Sequence, residues 1–363
     1  MKKMFVAAGT VLFGMAVAAA QAQDRQVNVY NWSDYITPEV LKDFEKETGI
    51  KVNYDVYDSN EVLETKLLTG GTGYDVVVPS ATFLDRQIQA GVYQKLDKDK
   101  LPNLKHLRED IRQKTEVFDP ENAYSINYMW GTSGLGVNEE KVKALLPDAP
   151  MDSWDILFNP ELLKQVSSCG VYVMDEPDEM IPAALNYLGL DPDSNKPADI
   201  KKAGELLKSI RPYVQKFHNS EFINALANGD ICMAYGWSGD VMMAGDRASE
   251  ADNGVEITYI LPKEGAQMWF DQMAIPADAP HADEAHEFLN FMMRPEVVAK
   301  LTDYLYYANG NKDATPLVDK EISSNTNIYP DDEVMTKLYT ITAKPIKTQR
   351  QMNRLWTNVK TGQ

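Results

Sequence analysis

Three stretches of this sequence set an aromatic ring within three residues of a carboxylate, and they lie far apart along the chain. They are Trp32-Ser33-Asp34-Tyr35, Trp237-Ser238-Gly239-Asp240 and Trp269-Phe270-Asp271. A fourth, Asp175-Glu176-Pro177-Asp178-Glu179, contributes acids alone, and Tyr306-Tyr307 adds two phenols. Any one such pair reads equally well as a core aromatic beside a surface acid. Their recurrence at the ends of apolar strands points instead to recognition of an alkyl ammonium. An indole or phenol face attracts the cation and packs on its methylenes, at about 0.5–2 kcal/mol per contact. A carboxylate must then neutralise each ammonium that loses its water. Primary amines titrate near ~10.4, so both ends of a diamine are charged at neutral pH. An amino acid ligand would also need a cation for its carboxylate, and no Arg or Lys adjoins these pairs.

Catalytic signatures are missing from the sequence. Gly131-Thr-Ser-Gly-Leu-Gly136 has Leu135 where a nucleophile elbow needs glycine, and neither a phosphate loop nor a dinucleotide fingerprint occurs. His106, His218, His281 and His286 are scattered, and the five-residue spacing of the last two does not put two ligands on one helix face. No cofactor or metal is therefore expected.

The elements that must carry these residues read as α/β. A strand over "RQVNVYN" leads to Thr37-Pro38, a helix start, and Gly49 closes that helix. "IKVNYDVYD" alternates as a second strand, Ser59-Asn60 opens a second helix, and "YDVVVPS" is a third, continuously apolar strand ending at Ser80. This β-α-β-α-β order is the α/β pattern, in which ligands bind beyond the carboxyl ends of the strands. Further on, strands are predicted at "GVYVMDE", before Gly236-Trp237, at "VEITYILP" and at "MWFDQMAIP". Helices are predicted at "ADIKKAGELLKSIRPYV" and from Asp283 to Tyr306, broken near Pro295, and the basic C-terminal stretch reads as the solvated face of a closing helix.

The N-terminus reads as a secretory signal peptide over residues 1–22. Met-Lys-Lys is followed by an uncharged run to Ala20 and an Ala-x-Ala end, which predicts cleavage after Ala22 and export. The remaining ~340 residues are long for one core, so two lobes are expected. Without Lys2 and Lys3 the chain has 34 basic and 54 acidic side chains, a net charge of −20. That excludes a nucleic-acid footprint and suits a cationic ligand. In an exported chain the even pair Cys169 and Cys232 favours a disulfide over two buried thiols.

"VYNWSDYI", "FEKETGIKVNYDVYDSNEVLETKLLTGGTGYDVVVPS", "NALANGDICMAYGWSGDV", "WFDQMAIP" and "YYANGNKDATPL" resemble the periplasmic polyamine-binding proteins of bacterial ABC transporters, the putrescine branch above all. The resemblance runs from about residue 26 to the C-terminus. It implies a two-lobed, type II-like solute-binding fold, each lobe a mixed sheet flanked by helices, with the ligand in the cleft between. Lobe one would comprise 24–134 and 270–317, and lobe two 135–269 and 318–363. Carried over by motif, Trp32 and Trp237 would wall the methylene chain, with Tyr35 and Tyr307 completing an aromatic box. Ser33 and Ser80 would hydrogen-bond an amine, Asp240 and Asp271 would be its main partners, Glu179 a further acid, and Asp34 an acid at the mouth. Trp269 stands where putrescine binders resemble Phe and spermidine binders Trp. Glu176 could meet a third ammonium, whereas Thr82 is small where spermidine binders tend to carry an aromatic. Putrescine is the expected ligand, spermidine the alternative, and the implied partner is an inner-membrane ABC permease served by a monomeric periplasmic carrier. A polyamine sensor, a ferric-ion carrier using Tyr306-Tyr307 and a two-carboxylate hydrolase are the rival readings, the last two disfavoured by the tryptophans.

Overall fold

The computed structural model describes residues 25–362. The predicted signal peptide and its cleavage point lie outside the described residues. The strands are β1 (Gln26–Trp32), β2 (Lys51–Tyr57), β3 (Val76–Val77), β4 (Ser125–Val137), β5 (Val171–Val173), β6 (Lys216–Phe217), β7 (Met233–Trp237), β8 (Thr258–Ile260) and β9 (Met268–Ala274). Their spatial order is β2-β1-β3-β9-β4-β7-β5-β6, with β8 also on β4. Helices cover this mixed sheet, an α/β architecture.

The first half follows from local chemistry. Val27 and Val29 of β1 are fully buried, and β1 pairs in parallel with β2 (Val27 with Val52) and β3 (Val29 with Val76). Between β1 and β2 the helix Pro38–Thr48 starts on Thr37, whose Oγ1 accepts from the Val40 amide at 3.2 Å, and stops on Gly49 at φ +70°. The next helix, Asn60–Thr69, starts on Ser59 in the same way. β3 is only two residues long, because Pro79 cannot donate to a ladder.

β4 joins the two halves. Its first part pairs antiparallel with β9 as far as Thr132–Met268, and from Ser133–Trp237 onward it pairs with β7. "SINYMWGTSGLGV" is buried at nearly every position, so it carries no alternation to betray it. Below β7, Cys169 and Cys232 form the expected disulfide, with Cα atoms 5.6 Å apart. It ties the entries of the neighbouring parallel strands β5 and β7 and stabilises them by about 4 kcal/mol in the chain-entropy picture.

Candidate functional site

The ends of β1, β3, β5 and β7 converge on one cleft. β1 ends on Trp32, and the Ser33 amide makes one more bond to the Tyr57 carbonyl (3.0 Å) before Asp34 turns the chain at φ +55°. After β3, Ser80 starts the helix Ala81–Gln89 without spending its hydroxyl on a backbone cap. After β5, Glu176 starts the helix Pro177–Tyr187, whose first turn holds Asp178 and Glu179. After β7, Trp237 starts the helix Ser238–Glu250, whose first turn holds Asp240. β9 adds Trp269 and Asp271, and Tyr307 follows the helix Pro295–Leu305.

The cleft takes in about 930 Å³ counted with its open mouth. Its rings meet edge to face: Trp32 on Trp237 at 5.8 Å, Tyr35 on Tyr307 at 5.6 Å and Trp269 on Tyr307 at 5.0 Å. Two of the three indoles are pinned by hydrogen bonds. Trp32 Nε1 donates to the Val78 carbonyl (2.9 Å) and Trp237 Nε1 to Glu179 Oε1 (3.1 Å). Trp269 Nε1 is buried without a protein acceptor.

Six carboxylates line the cleft, those of Asp58, Glu176, Asp178, Glu179, Asp240 and Asp271, and no Lys, Arg or His does. Asp271 accepts from Tyr35 Oη and Ser80 Oγ, both at 2.8 Å. Asp240 accepts from Tyr307 Oη at 2.7 Å, and Tyr307 Oη in turn accepts from the Asp240 amide at 3.1 Å. Glu179 also accepts from Tyr235 Oη at 3.2 Å, and Glu176 accepts from Asn219 Nδ2 at 2.9 Å. These donors, and the helix N-termini, favour the ionised forms. Burial outweighs them. It pushes Asp240 and Glu179 up to about 7 and Asp271 up to about 6. Glu176 is driven well above its ordinary value by burial and then by Glu61, Asp178 and Glu179 facing it. Such a surface can strip the water from an ammonium and return charge and aromatic faces in its place.

Of the residues singled out from sequence, Trp32, Ser33, Tyr35, Ser80, Glu176, Glu179, Trp237, Asp240, Trp269, Asp271 and Tyr307 all lie on this cleft. Asp34 does not: its carboxylate is half exposed and faces Arg247 at 3.4 Å. Asp34, expected as an acid at the mouth, stands at the rim beside this arginine. Tyr306 is likewise absent from the lining; it caps its helix at φ +57°. Among the described residues no group of His, Cys, Asp or Glu could hold a metal ion. Sequence reading passed over Asp58, Asn60, Asn219, Gln267 and the pair Thr340-Ile341. Asp178 lay in the quoted acid run. Asn60 steadies Ser80, donating to its hydroxyl and accepting from its amide, both at 3.1 Å. Asn219 ties Glu176 to the Asp58 carbonyl (2.8 Å), a tertiary role with no local signal.

Fold and cleft together define a solute-binding protein of the two-lobed bacterial kind. The chain belongs to the family described as bacterial extracellular solute-binding protein, which matches residues 39–330. It is 56% identical over 353 residues to the putrescine-binding periplasmic protein SpuD of Pseudomonas aeruginosa, covering 97% of this chain and 96% of SpuD. It is 51% identical to the putrescine-binding periplasmic protein PotF of Escherichia coli, covering 97% and 95%. Among solved structures, the spermidine/putrescine ABC transporter substrate-binding protein PotD of Streptococcus pneumoniae superimposes with a TM-score of 0.75 at 28% identity, covering 93% of this chain and 99% of that one.

Proposed function

We propose that this protein is the solute-binding component of a polyamine ABC importer and that it takes putrescine in the cleft. The observation that carries the reading is the lining itself: six carboxylates, no base, and aromatic faces between them. A dication with an apolar middle satisfies that surface, whereas an amino acid, a sugar or an anion leaves buried charge unpaired. The likeness to SpuD and PotF supports putrescine in particular.

In this reading Asp240 and Asp271 neutralise one ammonium, and Glu179 receives the other. Trp32, Trp237 and Trp269 flank the methylenes, with Tyr35 and Tyr307 closing the box. Ser33 offers its hydroxyl to an amine, while Ser80, already donating to Asp271, mainly orients that carboxylate. Spermidine is the second reading, favoured by Glu176 beside Glu179 and by the indole at 269. Lobe one is then 24–134 with 270–317 and lobe two 135–269 with 318–363, a division supported by the exchange of β9 for β7 along β4. The protein is carried to the periplasm by residues 1–22, removed after Ala22, and as a monomer delivers ligand to an inner-membrane permease. Calorimetry of the mature protein with putrescine, cadaverine, spermidine and spermine tests the proposal. Binding of putrescine is expected, and binding of none of the four would overturn it.

A further inference from the structure

Trp269 differs from the other two cleft indoles in what holds it. Trp32 and Trp237 are oriented by hydrogen bonds from their ring nitrogens, while the Trp269 nitrogen has no protein partner. Its position rests on packing: Tyr307 on one side and, beneath, its cross-strand neighbour Gly131, which faces it directly in the β4–β9 ladder. A Cβ on Gly131 would lie 2.6 Å from Trp269 Cζ2 and 3.0 Å from Cη2, closer than packed carbon atoms approach. The outer ring of the indole thus occupies the space that any other residue at 131 would fill. Covering a strand glycine with a cross-strand aromatic is a known way of fixing such a pair.

We propose that Gly131 is a specificity-determining positioning residue, the seat that sets how far the Trp269 indole projects into the cleft and therefore which lengths of polyamine fit. The inference rests on the polyamine reading. It concerns a residue that touches the ring and not the ligand, one the cleft lining does not include. A side chain at 131 lifts the indole off β4 toward Tyr307 and narrows the path for the methylene chain. The effect falls most heavily on the longer ligands. Gly239 offers no comparable test, because a Cβ there meets the Leu305 carbonyl at 2.3 Å and would displace backbone.

The test is a cycle of four proteins: wild type, Gly131→Ala, Trp269→Phe and the double variant. Each is titrated calorimetrically with putrescine, cadaverine and spermidine, and its ligand-free near-ultraviolet circular dichroism is recorded. Displacing one wall of the cleft should shift affinity by about tenfold, or 1.4 kcal/mol of binding free energy. Gly131→Ala is expected to weaken spermidine more than putrescine and to change the Trp269 contribution to the spectrum. In the double variant Phe no longer reaches the added methyl, so its affinities should return to within about threefold of Trp269→Phe alone. If Gly131→Ala is too disturbed to fold, folding of the double variant supports the proposal and failure of both overturns it. Unchanged affinities and spectrum in Gly131→Ala, or a penalty just as large in the Trp269→Phe background, also overturn it. Wild type that binds no polyamine would sink the proposed function instead, while the ligand-free spectra still report whether Gly131 seats the ring.

Discussion

Asp240 and Asp271 face the same cleft as Glu176, Asp178 and Glu179; Asp240 is half-buried and the other four are buried. What surrounds them differs. Asp271 has two hydroxyl donors and Asp240 has one, all between 2.7 and 2.8 Å; no other acid presses on Asp271, while Asp240 faces Asp34 and Asp271. The Glu group receives amides, an indole and one longer hydroxyl bond at 2.9–3.2 Å, from Asn219, Gln349, Trp237 and Tyr235, and its members face one another and Glu61. Short hydroxyl bonds stabilise carboxylates as anions, while like-charge neighbours stabilise them as acids. Asp271 is thus the best prepared as a counter-ion, Asp240 and Glu179 are raised alike to about 7, and Glu176 holds its proton most firmly until a cation arrives.

The sharpest way to break this comparison is to neutralise one member of each group. Asp271→Asn keeps the shape but removes a charge that a desolvated ammonium needs, a loss of about 2–5 kcal/mol. Putrescine affinity should fall about a hundredfold or more by calorimetry, whereas Glu179→Gln should cost nearer tenfold. Equal losses in the two variants would erase the distinction between the groups.

Lowering the pH acts on both groups at once. Asp240 and Glu179 sit at about 7 and Asp271 at about 6 in the empty cleft, and an ammonium favours their ionised forms. Putrescine must therefore expel protons at pH 6 that are already gone at pH 8. The expected weakening over that interval is about tenfold for each group at 7. Calorimetry in two buffers of different ionisation enthalpy should count the released protons. The stability of the empty protein moves the opposite way. Because these folded-state values are raised, the stabilisation they contribute is complete below the unfolded carboxyl range and is lost as pH rises through 6 and 7. The empty protein should melt lower at pH 8 than at pH 5, and putrescine should reverse that trend; a flat profile for both would break the argument.

Glu176→Gln is a smaller change and sharpens the comparison from the acidic side. It removes a buried acid from among like charges while leaving Asn219 an acceptor. The empty protein should gain about 1 kcal/mol, a rise of about 1–2 °C in melting temperature for a chain of this size. Putrescine affinity should stay within about threefold, and spermidine, with a third ammonium to place, should weaken more. A fall in melting temperature would mean that Glu176 is held as an anion after all.

The chemistry of this cleft was legible in the sequence to the extent that strand ends carry it. Trp32, Trp237 and Asp271 announce themselves because apolar runs stop beside them, and caps such as Thr37 and Ser59 locate the intervening helices. Two elements were not legible. β4 is buried along its length and holds three glycines, so it has neither alternation nor bulk. The helix Ser238–Glu250 opens on Ser-Gly-Asp and contains Gly245, which weakens both its start signal and its propensity. Those two elements carry Gly131 and Asp240. Asn219, Asp58 and Thr340-Ile341 reach the cleft through tertiary approach alone, which no local pattern encodes.

Asp34 supplies the smallest effect and the plainest contrast with Asp271. The two acids follow equally suggestive motifs, but Asp34 is half exposed and its partner is Arg247, which also donates to Asn224 Oδ1 at 2.8 Å. A solvent-exposed pair of this kind contributes about 0.2–1 kcal/mol and is screened by salt. Asp34→Asn should therefore weaken putrescine by about twofold to fivefold at low ionic strength, and the difference from wild type should shrink in high salt. Asp271→Asn should keep its deficit in the same salt, because its charge is buried. A loss at Asp34 as large as that at Asp271, and equally indifferent to salt, would return Asp34 to the set of ammonium partners.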